Sequence, residues 1–158
     1  MVASEFDNLL QDLSKILNIK DLHLDKNGTC LLKYPSGLKV HIEPFPKRDA
    51  VLIFALITEI APGGFRQSVF KEALKANGSP APRHGTFAFI KESSTLVLHT
   101  LISLKEINAI KVSDHLKALV EKSEFWKTTI ESGRVPEADS MRTSMTRGSS
   151  LGIFGLRP

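Results

Sequence analysis

The stretch Val51–Ile60, VLIFALITEI, decides the class of fold. Its first seven residues are all apolar, without the alternation of polar residues that marks a strand with one solvated face. This composition is typical of a central strand that is covered on both faces of its sheet. The run is far shorter than the ~20 apolar residues of a membrane-spanning helix, so we expect no membrane insertion.

Further strands are predicted before this stretch. Leu38–Glu43 alternates apolar and polar residues, and Pro44 is expected to end it because proline cannot donate a ladder hydrogen bond. Thr29–Tyr34 is predicted to be a strand, and it follows a tight turn at residues 26–28 whose Asn-Gly pair favours positive φ angles. Leu22–Asp25 is predicted to be extended.

Three segments have the spacing of amphipathic helices. Ser4 is a candidate N-cap, and apolar residues recur every three or four positions from Phe6 to Leu17. A second helix follows Pro62-Gly63-Gly64 and is expected to end at Asn77-Gly78. Ser113 is the candidate cap of a third helix that runs to residue 132. Between the last two helices, residues 86–90 and 95–104 are predicted to form a hairpin.

The order is therefore α-β-β-β-α-β-β-α. It predicts an α+β domain over residues 1–133, with one mostly antiparallel twisted sheet and three helices. Residues 134–158 are rich in Ser, Arg and Gly and lack periodicity, which predicts a flexible tail. The apolar segment Leu151–Leu156 is either a frayed terminus or a segment that docks on this protein or on a partner.

The net charge of +4 and the isoelectric point near 9.3 suggest a nucleic-acid-binding α+β domain as one alternative. The charge is spread thinly, however. Residues 134–158 carry four arginines against Glu137 and Asp139, a net +2, and residues 1–133 carry 17 basic and 15 acidic groups, also +2. Because a nucleic-acid footprint needs clustered basic residues, we expect no nucleic-acid partner.

The search for catalytic chemistry gives no strong candidate. Cys30, the one cysteine, excludes an intramolecular disulfide and fits a reducing, cytoplasmic setting. It could formally pair with His41 or His99 as nucleophile and base, but no local motif around it would lower its pKa. His84, in a Pro/Gly-rich loop, is the one histidine of interest. We expect no catalytic residue, cofactor or metal; an enzyme using Cys30 or His84 stays as an alternative.

The order of elements over roughly residues 5–132 resembles the class I type III secretion chaperones, the Tir chaperone (CesT-like) family. None of the motifs is specific alone, and the resemblance rests on their order, spacing and the chain length. The features that carry it are the opening helix Phe6–Leu17, the segment Leu22–Leu32 with its apolar-x-apolar-Asp and Cys-x-Leu pattern, the strand Val51–Ile60, the helix closing at Ala76-Asn77-Gly78, the strand Leu96–His99 and the closing helix 113–132.

The resemblance implies a bacterial cytoplasmic homodimer that works without ATP and holds the N-terminal segment of secreted effector proteins in extended form. It also suggests the secretion ATPase as a further partner. The implied effector-binding residues are Leu9, Leu13, Ile16, Leu24, Leu32 and Phe45. The implied dimer-interface residues are Phe70, Leu74, Phe87 and Phe89. Members of the family are usually acidic, so the basic charge of this chain suggests an acidic cargo segment.

Overall fold

A computed structural model of the chain describes residues 3–20, 22–80 and 84–138. These residues form three α-helices and five β-strands in the order α-β-β-β-α-β-β-α, which confirms the predicted order. The elements are α1 (Ala3–Leu17), β1 (Cys30–Lys33), β2 (Lys39–Phe45), β3 (Ala50–Glu59), α2 (Gly64–Gly78), β4 (Thr86–Ile90), β5 (Thr95–Ser103) and α3 (Ala109–Glu131).

The five strands form one sheet in the order β1-β2-β3-β5-β4, and every neighbouring pair is antiparallel. The strand β3, which contains all of the run Val51–Ile60 except Ile60, is therefore central, as predicted. It pairs with β2 on one side and with β5 on the other, and a register shift between Leu56 and Thr58 interrupts the second ladder. The strands β1 and β4 are the edges of the sheet.

The core lies between one face of the sheet and two of the helices. The helix α3 packs on β3 and β5, and α1 packs on α3. The largest buried side chains of the two helices include Phe6, Leu13 and Trp126, and Ile53 and Ile57 face them from β3. The helix α2 packs against the edge strand β4. The apolar helix stripes read from the sequence are therefore used mainly within the chain.

The prediction that both faces of the central strand are covered is wrong for the second face. Alternate residues of β3 are fully buried, but Leu52, Phe54 and Leu56 between them are only half-buried. Among the residues that the structure describes, α3 packs on the first face and α1 packs on α3. An apolar sheet face is thus left partly open to solvent.

Two local predictions are corrected by the structure. Pro44 lies inside β2, opposite Val51, because β1 pairs with β2 only as far as Ile42 and no neighbouring strand needs a donor from the proline. The helix α3 begins at Ala109, one turn earlier than predicted. Its N-cap is Asn108, whose side chain accepts a 2.8 Å bond from the backbone N–H of Lys111.

The turn before β1 is built around Asp25. Its carboxylate accepts hydrogen bonds from the backbone N–H groups of Asn27 (2.8 Å) and Thr29 (3.0 Å), and these bonds lower its pKa. Gly28 adopts a φ of 75°, as the predicted tight turn requires. The segment Leu22–Asp25 before it belongs to no strand, although Leu22 is buried in the core.

The first residues of the predicted tail run along the domain. Val135 packs against the core, and the backbone N–H of Ala138 donates a 3.2 Å bond to the carboxylate of Glu72 in α2. Residues 139–158, including the apolar segment Leu151–Leu156, lie outside the described residues. The division at residue 133 and the flexible tail stay predictions.

Candidate functional site

The partly open sheet face carries a cleft of about 520 Å³. The strands β2, β3, β4 and β5 all contribute to it, because side chains that are opposite each other in the register share one face of the sheet. Two charged residues stand among apolar and aromatic ones. The lining residues are Glu43, Phe45, Arg48, Leu52, Phe54, Ile90, Val97, His99 and Leu101.

A row of three rings crosses this face. The register places His41 opposite Phe54 and Phe54 opposite His99. The rings of His41 and Phe54 are stacked, with centroids 4.7 Å apart and planes 4° from parallel. Burial lowers the pKa of both histidines, so the neutral imidazole is favoured. The row is therefore uncharged, which suits an apolar partner.

A second cleft, of about 160 Å³, lies between α2 and β4. The rings of Phe70 and Phe89 meet edge to face across it, with centroids 4.7 Å apart. The guanidinium of Arg66 lies 5.3 Å from the ring of Phe89 and 5.8 Å from that of Phe70, within cation–π range. Beside them Leu74 is 70% exposed and extends the apolar surface of this cleft.

The four predicted dimer-interface residues all line this second cleft. Phe70, Leu74 and Phe89 are accessible there, but the ring of Phe87 points inward. It lies 4.1 Å from the ring of Trp126, and the ammonium of Lys122 lies 4.9 Å from its centre. Phe87 therefore holds β4 against α3, and Leu74 is the best placed of the four to contact a partner.

The six predicted effector-binding residues do not form one surface. Leu13 and Leu32 are buried in the core and would support a groove from below without touching a ligand. Leu9 and Leu24 are half-buried against the core, and Ile16 is exposed near the end of α1. Phe45 lies elsewhere, in the cleft on the sheet face. Whether these residues bind an effector stays a prediction.

The apolar side chains of the sheet-face cleft were missed as site candidates, notably Leu52, Phe54 and Leu101. One signal in the sequence could have found two of them. The lack of alternation in VLIFALITEI indicates that this strand has apolar residues on both sides, so Leu52 and Phe54 lie on an apolar side of the strand. Assigning that face to a ligand required knowing that α3 packs on the opposite face and α1 on α3.

The candidate catalytic groups do not form a reactive site. Cys30 is buried, and its pKa is raised first by that burial and then by the charge of Asp25. A high pKa disfavours the nucleophilic thiolate. His84 is half-buried just before β4. Within residues 3–20, 22–80 and 84–138, no group of three or more metal-ligating side chains is placed to hold an ion. In the same part of the chain, no helix combines the length and apolarity needed to cross a membrane.

Comparison with known proteins identifies the family. The sequence matches the Tir chaperone protein (CesT) family over residues 8–127, more than half of the chain. The chain belongs to this family. The family resemblance read from the order of elements is thereby confirmed, and so is its chaperone-like α+β fold. No curated protein sequence matches this CesT-family chain.

Solved structures with the same fold include three complexes. A chain of the ExsC–ExsE complex is 20% identical, with a TM-score of 0.63, and the match covers 80% of this CesT-family chain and 94% of that one. A chain of the HopA1–SchA chaperone–effector complex is 18% identical, with a TM-score of 0.63 and coverages of 78% and 93%. The Yersinia pestis type III secretion chaperone SycH, solved with a fragment of YscM2, is 14% identical with a TM-score of 0.56. The match covers 75% of this chain and 96% of that one.

Proposed function

We propose that this protein is a type III secretion chaperone that binds the N-terminal segment of one or more effector proteins and keeps it extended, soluble and ready for secretion. Membership of the CesT family supports this function. A chaperone–effector complex of similar fold supports it as well. The protein acts as a bacterial cytoplasmic binding protein and not as an enzyme, and contact with the secretion ATPase stays a prediction.

The observation that carries the proposal is the apolar sheet face that the described helices leave open. Antiparallel sheets can leave one face to water, but that face is then normally polar. Here Leu52, Phe54 and Leu101 line a cleft of about 520 Å³ instead. An unfolded effector segment exposes apolar side chains of its own, and burying both sets stabilises the complex by roughly 25 cal/mol per Å² of apolar surface.

The edge strand β1 offers a second mode of contact. Tyr34 N–H donates to the carbonyl of Leu38, so alternate β1 residues turn their backbone groups toward β2. By that alternation, the N–H and C=O groups of Leu31 and Lys33 turn toward the free edge. An extended peptide adds to such an edge through main-chain hydrogen bonds, which require no particular sequence. This tolerance suits a chaperone that accepts more than one effector.

The protein acts as a homodimer in this proposal, joined at the cleft between α2 and β4. The exposed Leu74 and the Phe70–Phe89 pair are the groups that a second copy would cover. In a two-fold dimer, each subunit would contribute this same patch to the interface. The effector-binding face and the dimer face lie on different parts of the sheet, so both can be occupied at once.

Co-expression with effector candidates, followed by co-purification, tests the proposal. We expect an effector to co-purify with the wild type and to be lost from Leu101→Glu, which puts a charge in the sheet-face cleft. The matched control is Ile110→Glu on α3, also an exposed apolar residue, which should retain the effector. If no secreted protein binds and the chain is monomeric by light scattering, the proposal is wrong. A salt-dependent shift of labelled RNA or DNA would favour the nucleic-acid alternative.

A further inference from the structure

The side chain of Asn77 occupies the outer edge of β4. Its carbonyl oxygen accepts a 2.7 Å hydrogen bond from the backbone N–H of Phe87, and its Nδ2 donates a 3.0 Å bond to the backbone carbonyl of the same residue. A neighbouring antiparallel strand makes the same pair of bonds to one residue. Because β5 pairs with β4 on the inner side, the two bonds close a position on the outer side.

The two bonds from Asn77 do not serve to cap the C-terminus of α2. The helix α2 continues past Asn77 to Gly78, and its last turn is closed by a backbone bond from Ser79 N–H to the carbonyl of Ala76. The amide of Asn77 is therefore directed to β4. Phe87 is itself held by Trp126 and Lys122, so donor and acceptor meet in a rigid arrangement.

We propose that Asn77 is an edge block that prevents any polypeptide from adding a strand at β4. An exposed edge strand is a template for strand addition and aggregation unless something covers it. Phe87 is the second of the five residues of β4, and by the alternation of an antiparallel ladder its N–H and C=O face outward together with those of Phe89. Closing the groups of Phe87 therefore breaks the row of bonding groups that an incoming strand would need. Asn77 thus covers one of the two edges of the sheet.

The block decides how each partner can bind. A second copy that meets the cleft between α2 and β4 has to pack through side chains such as Leu74, and the two sheets cannot join into one through β4. A cargo strand is directed to β1, at the opposite end of the sheet. The binding of a cargo strand at β1 rests on the proposed function, whereas the block at β4 does not.

The test measures self-association of the full chain without cargo. We expect Asn77→Ala to form species larger than the wild type by light scattering, with an infrared band of intermolecular β-sheet. Adding Ala88→Lys, a charge at an exposed position of the same strand that also lines the cleft, should return the size to that of Ala88→Lys alone. The matched control is Ser79→Ala, at the end of the same helix. A folded Asn77→Ala protein of unchanged size, or growth that Ala88→Lys does not reverse, would overturn the proposal.

If Asn77→Ala does not fold, hydrogen exchange of the Phe87 amide in the wild type tests the block. The Phe87 amide should exchange with deuterium roughly a hundredfold more slowly than in an unfolded peptide, although it faces away from β5. Exchange at the rate of an unfolded peptide would show that the bond to Asn77 does not persist in solution. Neither experiment includes an effector, so failure of the chaperone function and failure of the edge block give different results.

Discussion

Leu74→Ala should weaken dimer formation strongly. Full burial of a leucine side chain is worth roughly 1.5–3 kcal/mol, and Leu74 is 70% exposed in the single chain, so about 1–2 kcal/mol remains to be gained per subunit. Because a two-fold interface contains Leu74 from both subunits, the substitution should cost about 2–4 kcal/mol of association free energy per dimer. At 1.4 kcal/mol per factor of ten, the dimer dissociation constant should rise roughly 30- to 700-fold.

Sedimentation equilibrium over a concentration series measures this dissociation constant directly. The matched control is Ile110→Ala, because Ile110 is also an apolar helix residue and is 64% exposed, but it lies on α3. The control should leave the constant unchanged. A wild type that stays monomeric, or equal effects of the two substitutions, would refute the assignment of the interface to α2 and β4.

Three further predictions concern stability and reactivity. Ser123→Ala should raise the free energy of unfolding in urea by about 1–2 kcal/mol, because the buried hydroxyl has no hydrogen-bond partner among the described residues; a lower midpoint would contradict this. The free energy of unfolding should fall as the pH drops from 7 to 5.5, because burial lowers the pKa of His99 in the folded state and the unfolded chain then takes up the proton first. His99→Gln should reduce this dependence and His115→Gln, at an exposed site, should not; equal slopes would exclude a role for His99. Native Cys30 should react with a maleimide far more slowly than the unfolded chain, and equal rates would show that its strand opens readily.

Much of the fold could be predicted because the decisive signals are local. The spacing of apolar residues from Phe6 to Leu17 indicates a helix whatever it packs on, and the Asn-Gly turn before β1 needs only its own backbone geometry. The alternation in Leu38–Glu43 likewise identifies β2. Local rules failed where a neighbour was missing or unexpected. Pro44 continues β2 because β1 no longer pairs with β2 at that point, and Ser113 lies buried within a helix that Asn108 had already capped.

The candidate surfaces depended on tertiary structure to different degrees. The four predicted dimer-interface residues line one cleft, since α2 and β4 are joined by a short connection and pack on each other. Their role in joining two copies stays a prediction. The six predicted effector-binding residues do not lie on one surface. Apolar periodicity indicates the buried side of a helix as strongly as it indicates a groove, so it could not distinguish the two. Leu13 is the clearest case, since it belongs to the stripe and is fully buried.

The sequence by itself determined the kinds of element, their order and the unusual apolar character of VLIFALITEI on both of its faces. Only the tertiary structure decided that α3 packs on one face of the sheet, with α1 packed on α3, and that Leu52 and Phe54 line a cleft on the other face. Only the tertiary structure, too, brings Asn77 to the edge of β4. The physical reason is that periodicity reports which sides of an element avoid water, whereas the group that covers each side depends on distant segments of the chain.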